Sequence, residues 1–211
     1  YIARLRESRQ PEDEISPGLF GEILHKAAEI MYRKLSNNRK NALITARVLQ
    51  NQKSEAENYI RMALDDIFQR NQYSKTLLKG KGRVTLEVLK QYLTLITEAD
   101  RKYAPFKIFS LEADKNYSAS LSTKTPAGRK KVMLGGIIDR VDQKDNTYRI
   151  IDYKTGKAIK SVTNFEDLFD SQNIRENKSV IQMYIYTWLF KSNTEKSNVQ
   201  AGIYDLRNMS S

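Results

Sequence analysis

The sequence predicts an α+β domain: N-terminal helices, then a central mixed β-sheet flanked by helices. Three observations carry this expectation. Apolar residues recur at helical spacing as far as Pro105, and strand-like alternation takes over after it. Length is the third: 211 residues support one substantial core but not two comfortable domains with linkers. Residues 1–211 are therefore read as one domain, divided into a lead-in over 1–16, a helical part over 17–105 and a sheet-bearing part over 106–211.

Ser16-Pro17-Gly18 opens the first helix, with a capping residue followed by Pro at the first helical position. Leu19, Phe20, Ile23, Leu24, Ala27, Ala28, Ile30, Met31 and Leu35 give it a broad apolar face, and Asn37-Asn38 ends it. Helical stretches are expected from Asn41 to Gln50, from Ser54 to Phe68 and, after Gly80-Lys-Gly82, from Arg83 to Lys102. Pro105 closes this half. Lys107 to Leu121 alternates and reads as one or two strands, and Thr123 to Gly128 as a turn. Val132 to Asp142 and Tyr148 to Lys154 read as two strands, joined through Gln143-Lys-Asp-Asn146, where Asp-Asn supplies positive φ. A short helix over Asn164–Phe169, a polar loop over Asp170–Lys178, a helix over Val180–Lys191 and a strand over Val199–Leu206 complete the chain.

With 40% apolar and 29% charged residues the chain is globular rather than disordered. No stretch approaches the roughly 18 apolar residues of a membrane span. Zero cysteines exclude disulfides, thiolate zinc sites and a thiolate-held iron–sulfur cluster within these residues. Beginning at Tyr1 with no signal-like segment, the chain reads as a piece of a longer protein, with the cytoplasm as its expected compartment. A net charge of +11 and a pI of about 9.6 suit an anionic partner such as nucleic acid, although solubility alone would also account for them. Arg129, Lys130, Lys131, Lys154, Lys157 and Lys160 lie near the acidic residues in sequence and predict a basic surround for them.

The chemistry concentrates on the two central strands. Side chains on a strand alternate faces, so Asp152 and Lys154 point one way and Tyr153 the other. Folding back at Gln143–Asn146 brings Asp139 beside Asp152. Two carboxylates and an ammonium at a buried sheet are costly unless a cation sits among them, and oxygen ligands hold hard divalent cations. A structural salt bridge is the plainer alternative. His25, the only histidine, falls among apolar neighbours, where spacing alone favours a satisfied core residue, although imidazole is an accepted ligand for Mn²⁺ and similar ions. Gln182 and Tyr186, four apart on one helix, reach a common target or simply pack. Gly135-Gly136 permits close approach to the strand or marks a bulge.

In order, Gly21-x-x-x-His25, Gly135-Gly136-x-x-Asp139-Arg140-Val-Asp142, Asp152-Tyr153-Lys154-Thr155-Gly156 and Gln182-x-x-x-Tyr186 closely resemble the RecB-type branch of the PD-(D/E)xK nuclease superfamily, over about Pro17 to Leu206. The likeness is strongest to the C-terminal nuclease domain of AddB-like or RecB-like helicase–nuclease subunits, and Tyr1–Glu7 resembles the segment leading into it. It implies a restriction-endonuclease-like fold and a metal-dependent DNA nuclease, an exonuclease serving recombination or repair beside a helicase. It further implies that His25, Asp139, Asp152 and the Tyr153 carbonyl bind Mg²⁺ or Mn²⁺, that Asp139, Asp152 and Lys154 are catalytic, and that Gln182 and Tyr186 line the DNA path. Arg140 and Asp142 would support the sheet, and Glu112 stands outside that set. Ile138 replaces the nominal Pro before the first acid, a common relaxation. Many relatives carry a four-cysteine iron–sulfur cluster. This chain has none within it, being either of a cluster-free branch or without the flanking cysteines. A catalytically silent DNA-binding domain of the same fold is the alternative, and RNA or a smaller phosphoester are further candidate substrates.

Overall fold

The computed structural model describes residues 15–71, 81–114, 116–126, 128–156, 164, 166–169 and 177–209. Tyr1–Glu7, Gly80, Lys157, Lys160 and most of the loop expected from Asp170 lie outside these residues.

Helix α1 (Pro17–Leu35) starts as its sequence dictates: the Leu19 N–H donates to the Ser16 hydroxyl at 3.3 Å, with Pro17 in the first turn. Asn37 and Asn38, both left-handed, end it. The helix expected over Asn41–Gln50 forms only in its second half, as α2 (Ala46–Gln50). Leu43–Ile44 instead form strand β1 on the edge of the sheet, pairing with Lys107 and Phe106, so a partner strand overrides local helical spacing. Helices α3 (Gln52–Asn71) and α4 (Lys81–Tyr103) complete the helical part.

After Pro105 the chain enters β2 (Phe106–Leu111), a short 3-10 turn (Glu112–Asp114) and β3 (Asn116–Thr125). The run expected as one strand over Val132–Asp142 is two. Strand β4 (Gly128–Ile137) pairs only with β3, in a separate two-stranded ribbon, and the chain breaks at Ile138-Asp139 before β5 (Arg140–Lys144). Thr123–Thr125, expected as turn, belong to β3. Strand β5 turns through Asp145, at φ 51°, into β6 (Thr147–Lys154). A 3-10 turn at Glu166–Phe169 stands within the expected short helix. Helix α5 (Lys178–Thr194) then crosses over to β7 (Val199–Asp205), which pairs parallel with β6, and α6 (Leu206–Met209) follows where the strand was expected to include Leu206.

The main sheet runs β1-β2-β5-β6-β7, antiparallel except for β6 with β7. Helices α1, α3 and α4 pack with Ile151 and Tyr153 in one apolar cluster, while α5 packs with Tyr148 and Ile150 in a second, so β6 is central and covered on both faces. No helix among the described residues is long and apolar enough to cross a membrane.

Candidate active site

The alternation on β6 gives the site its geometry. Asp152 and Lys154 lie on the α5 face, where the Lys154 ammonium sits 2.7 Å from Asp152 Oδ2 and donates to Oδ1 at 3.0 Å. Helix α5 supplies Gln182, whose carbonyl oxygen accepts from Lys154 at 2.9 Å and whose amide donates to the Tyr186 hydroxyl at 2.7 Å. The four-residue spacing thus delivers both side chains in series to one lysine. Opposite, the break between β4 and β5 frees Asp139 from any ladder, and its Oδ2 accepts the Tyr153 N–H at 2.9 Å. Register places Arg140 against Ile151, so the acids Asp139 and Asp152 are neighbours across the strand ends.

His25 reaches this centre from α1, three-quarters buried. Its Nε2–H donates to the Tyr153 carbonyl at 2.9 Å, and its Nδ1 lies 3.5 Å from Asp139 Oδ1. His25 is thus a largely buried imidazole with its hydrogen-bond partner on β6, beside the acidic centre. His25, Asp139 and Tyr153 thus form one contact group and Asp152, Lys154, Gln182 and Tyr186 a second, and the backbone of β6 links the two. The charge of Glu112 is felt at Asp139 and Tyr186. Of the basic surround, Lys154 is in the centre, whereas Arg129, Lys130 and Lys131 stand at the far end of the β3–β4 ribbon. The sequence places them near; the ribbon carries them away.

Burial pushes the Asp139 carboxyl up to about 6; the Asp152 charge adds to that, and His25 and the Tyr153 N–H oppose it. The Tyr186 phenol is raised, first by burial and then by the nearby acids, against the hydrogen bond from Gln182. Two carboxylates, an imidazole and a backbone carbonyl form a donor set suited to Mg²⁺ or Mn²⁺. Asp152 Oδ2 is sealed from solvent and makes no well-formed hydrogen bond, which fits that chemistry. Among the described residues, however, no three His, Asp or Glu side chains are gathered tightly enough to hold an ion as they stand. Their polar atoms are engaged instead with Tyr153 and Lys154.

Gly136 has a steric reason. A Cβ there would lie 2.8 Å from the Tyr186 ring, so the strand passes too close to α5 for a side chain.

Sequence reasoning gave Arg140 and Asp142 a supporting role but missed their partners behind the site, Asp100, Arg149, Tyr32 and Tyr204. Arg140, wholly buried, forms two hydrogen bonds with Asp100 of α4 at 2.7 and 2.8 Å and lies 3.1 Å from Asp142. Arg149 joins Asp142 at 2.6 Å and Asp100 at 3.1 Å, while the Tyr32 and Tyr204 hydroxyls donate to Asp100. Burial opposes the Asp100 charge, but Arg140 and Arg149 outweigh it and hold its carboxyl below the ordinary value. The spacing Leu89, Leu93, Ile96, Asp100 put an acid on the buried stripe of α4, and that was the available signal.

An open groove of about 580 Å³ between α3 and α4, lined by Ile60, Leu64, Arg83 and Lys90 among others, holds none of these residues. No curated protein matches the sequence. A family model described as the PD-(D/E)XK nuclease superfamily matches residues 1–211. With that match over its whole length, and with two acids and a lysine meeting where two strands of a helix-flanked mixed sheet end, the chain belongs to the PD-(D/E)XK nuclease superfamily.

Proposed function

We propose that this domain hydrolyses DNA phosphodiester bonds with a divalent cation, acting from DNA ends beside a helicase in recombination or repair. Membership supports a metal-dependent nuclease in general, since PD-(D/E)XK nucleases use divalent ions, commonly Mg²⁺ or Mn²⁺. The observation that carries the catalytic reading is the position of Lys154, held between Asp152 and Gln182 on the α5 face of β6, while Asp139 and His25 meet the adjoining Tyr153 peptide. The polymer rests on the charge of +11; the DNA and the exonuclease and helicase context rest on the RecB-like motifs.

His25, Asp139, Asp152 and the Tyr153 carbonyl are the groups that would hold the ion. Bound there, it would neutralise charge on the scissile phosphate and favour the hydroxide form of water. Lys154 places a fixed positive charge where the attacking oxygen and the phosphoryl oxygens gather, without reorganising during the reaction. Hydrolysis forms one water oxygen–phosphorus bond and breaks one phosphorus–oxygen bond to the leaving strand end. Asp152 orients the ammonium, Gln182 fixes it from the other side, and Tyr186 offers its hydroxyl to the DNA backbone.

A silent binding domain is the second reading, favoured by the mutual engagement of the acids and His25 and the absence of a ready ion cage among the described residues. End-labelled single-stranded DNA, duplex DNA and RNA, incubated with Mn²⁺ or Mg²⁺, separate the two. Cleavage stopped by EDTA and reduced about 100-fold or more by Lys154→Ala or Asp152→Ala is expected. Full activity in either variant sinks the assignment, and DNA binding without cutting selects the silent domain.

A further inference from the structure

The β3–β4 ribbon is not consumed by the site. It leaves the fold just before Asp139 as ten paired positions, from Asn116 with Ile137 to Thr125 with Gly128. Among the described residues only its base is covered: Tyr117 is buried, Ala119 and Leu134 are half-buried, and α5 packs there. Every side chain on the opposite face is exposed, including Ser118, Ser120, Ser122, Lys124, Arg129 and Lys131. Over 116–137 the chain carries Lys124, Arg129, Lys130 and Lys131 and no acid.

We infer that this ribbon is a binding arm for the sugar–phosphate backbone of double-stranded DNA beside the cleaved position. Charge complementarity selects the ligand: four cations without one carboxylate repel a second copy of this +11 chain and attract a polyanion. The serine hydroxyls add donors suited to phosphate oxygens. Duplex is favoured over single strand because the exposed ribbon has no aromatic side chain on which bases would stack, and a two-stranded ribbon matches the width of the major groove. Its exposed apolar residues, Leu121 (49%), Val132 (43%), Met133 (69%) and Ile137 (44%), are aliphatic, as contact with thymine methyls or sugars would require. Strand rise puts Lys131 and Arg129 roughly 20–27 Å along the ribbon from Ile137, about six to eight base pairs of duplex.

The location of the cut rests on the nuclease reading, but the binding does not, so binding is measured in EDTA. The whole protein is titrated with a duplex of about 20 base pairs and with one strand of it, over a series of salt concentrations. Replacing the four cations together (Lys124→Gln, Arg129→Gln, Lys130→Gln, Lys131→Gln) is expected to lower duplex affinity about ten- to a hundredfold. The slope of log affinity against log salt should become shallower by about 3 units. In the unaltered protein, the duplex should shield Lys124, Lys130 and Lys131 from acetylation, which guards against a folding defect in the variant. An unchanged slope, unshielded lysines, an equal loss on the single strand, or a ribbon-dependent dimer without DNA overturns the inference. Ribbon-dependent duplex binding by a protein that cuts nothing with Mn²⁺ would instead sink the nuclease reading and leave this one standing.

Discussion

Burial raises the Asp139 carboxyl to about 6, against an ordinary value of 3.8, and this has a direct consequence for the metal-free protein. The folded state then holds the proton more tightly than the unfolded chain. Its contribution is favourable at acid pH and is lost as pH rises from about 4 through 6. At pH 7 the buried charge costs up to about 2–3 kcal/mol, shared with Asp152 and His25. Asp139→Asn keeps an oxygen for the Tyr153 N–H and removes the charge. In EDTA at pH 7 it should raise the melting temperature by roughly 5 °C and flatten the stability slope between pH 4 and 6. Mn²⁺ should stabilise the parent protein and leave this variant nearly unmoved, as calorimetry would record. A parent protein whose metal-free stability rises from pH 4 to 7 would contradict the assignment of that slope to Asp139. The residue that would hold an ion is thus one the fold tolerates at a cost.

Among the elements, α4 does more than cover the sheet. Through Asp100 it ties to Arg140 of β5, Arg149 of β6 and Tyr204 of β7, directly behind the strand ends that present Asp139 and Asp152. Arg140 also lies 4.3 Å over the Tyr32 ring, joining α1, the helix that carries His25. Asp100→Asn leaves Arg140 buried with half its compensation and should cost about 3–5 kcal/mol in denaturant unfolding; a loss under 1 kcal/mol would mean the tie contributes little. How far such ties could be read from sequence varies with the element. Asp152, Lys154, Gln182 and Tyr186 follow from period two on a strand and four on a helix, which tertiary contacts do not change. The split at Ile138 does not follow, because Val132 to Asp142 reads as one continuous strand, yet Val132, Met133 and Ile137 are exposed on a separate ribbon. Leu43–Ile44 were misread because a two-residue edge strand owes its existence to β2 rather than to its own pattern.

At the scale of the molecule, the helical part over 17–105 and the sheet-bearing part over 106–211 divide the sequence but not the physics. One apolar cluster unites Ile23, Leu24 and Met31 of α1 and Leu93 of α4 with Ile108, Leu111, Ile151 and Tyr153 of the sheet. The candidate site is divided the same way: His25 comes from the first part and every other candidate residue from the second. Removing residues 1–105 would strip one whole face of the sheet, leaving Ile151 and Tyr153 in water and Arg140 without Asp100. A fragment of residues 106–211 is therefore expected not to fold alone. It should show poor amide dispersion by NMR and no cooperative melting, and structure should return when the fragment of residues 1–105 is added. Cooperative unfolding of the sheet fragment by itself would mean that the helices are an appendage. Joint recovery of structure and of Mn²⁺-induced stabilisation on mixing would mean that the site and the core are assembled by the same event.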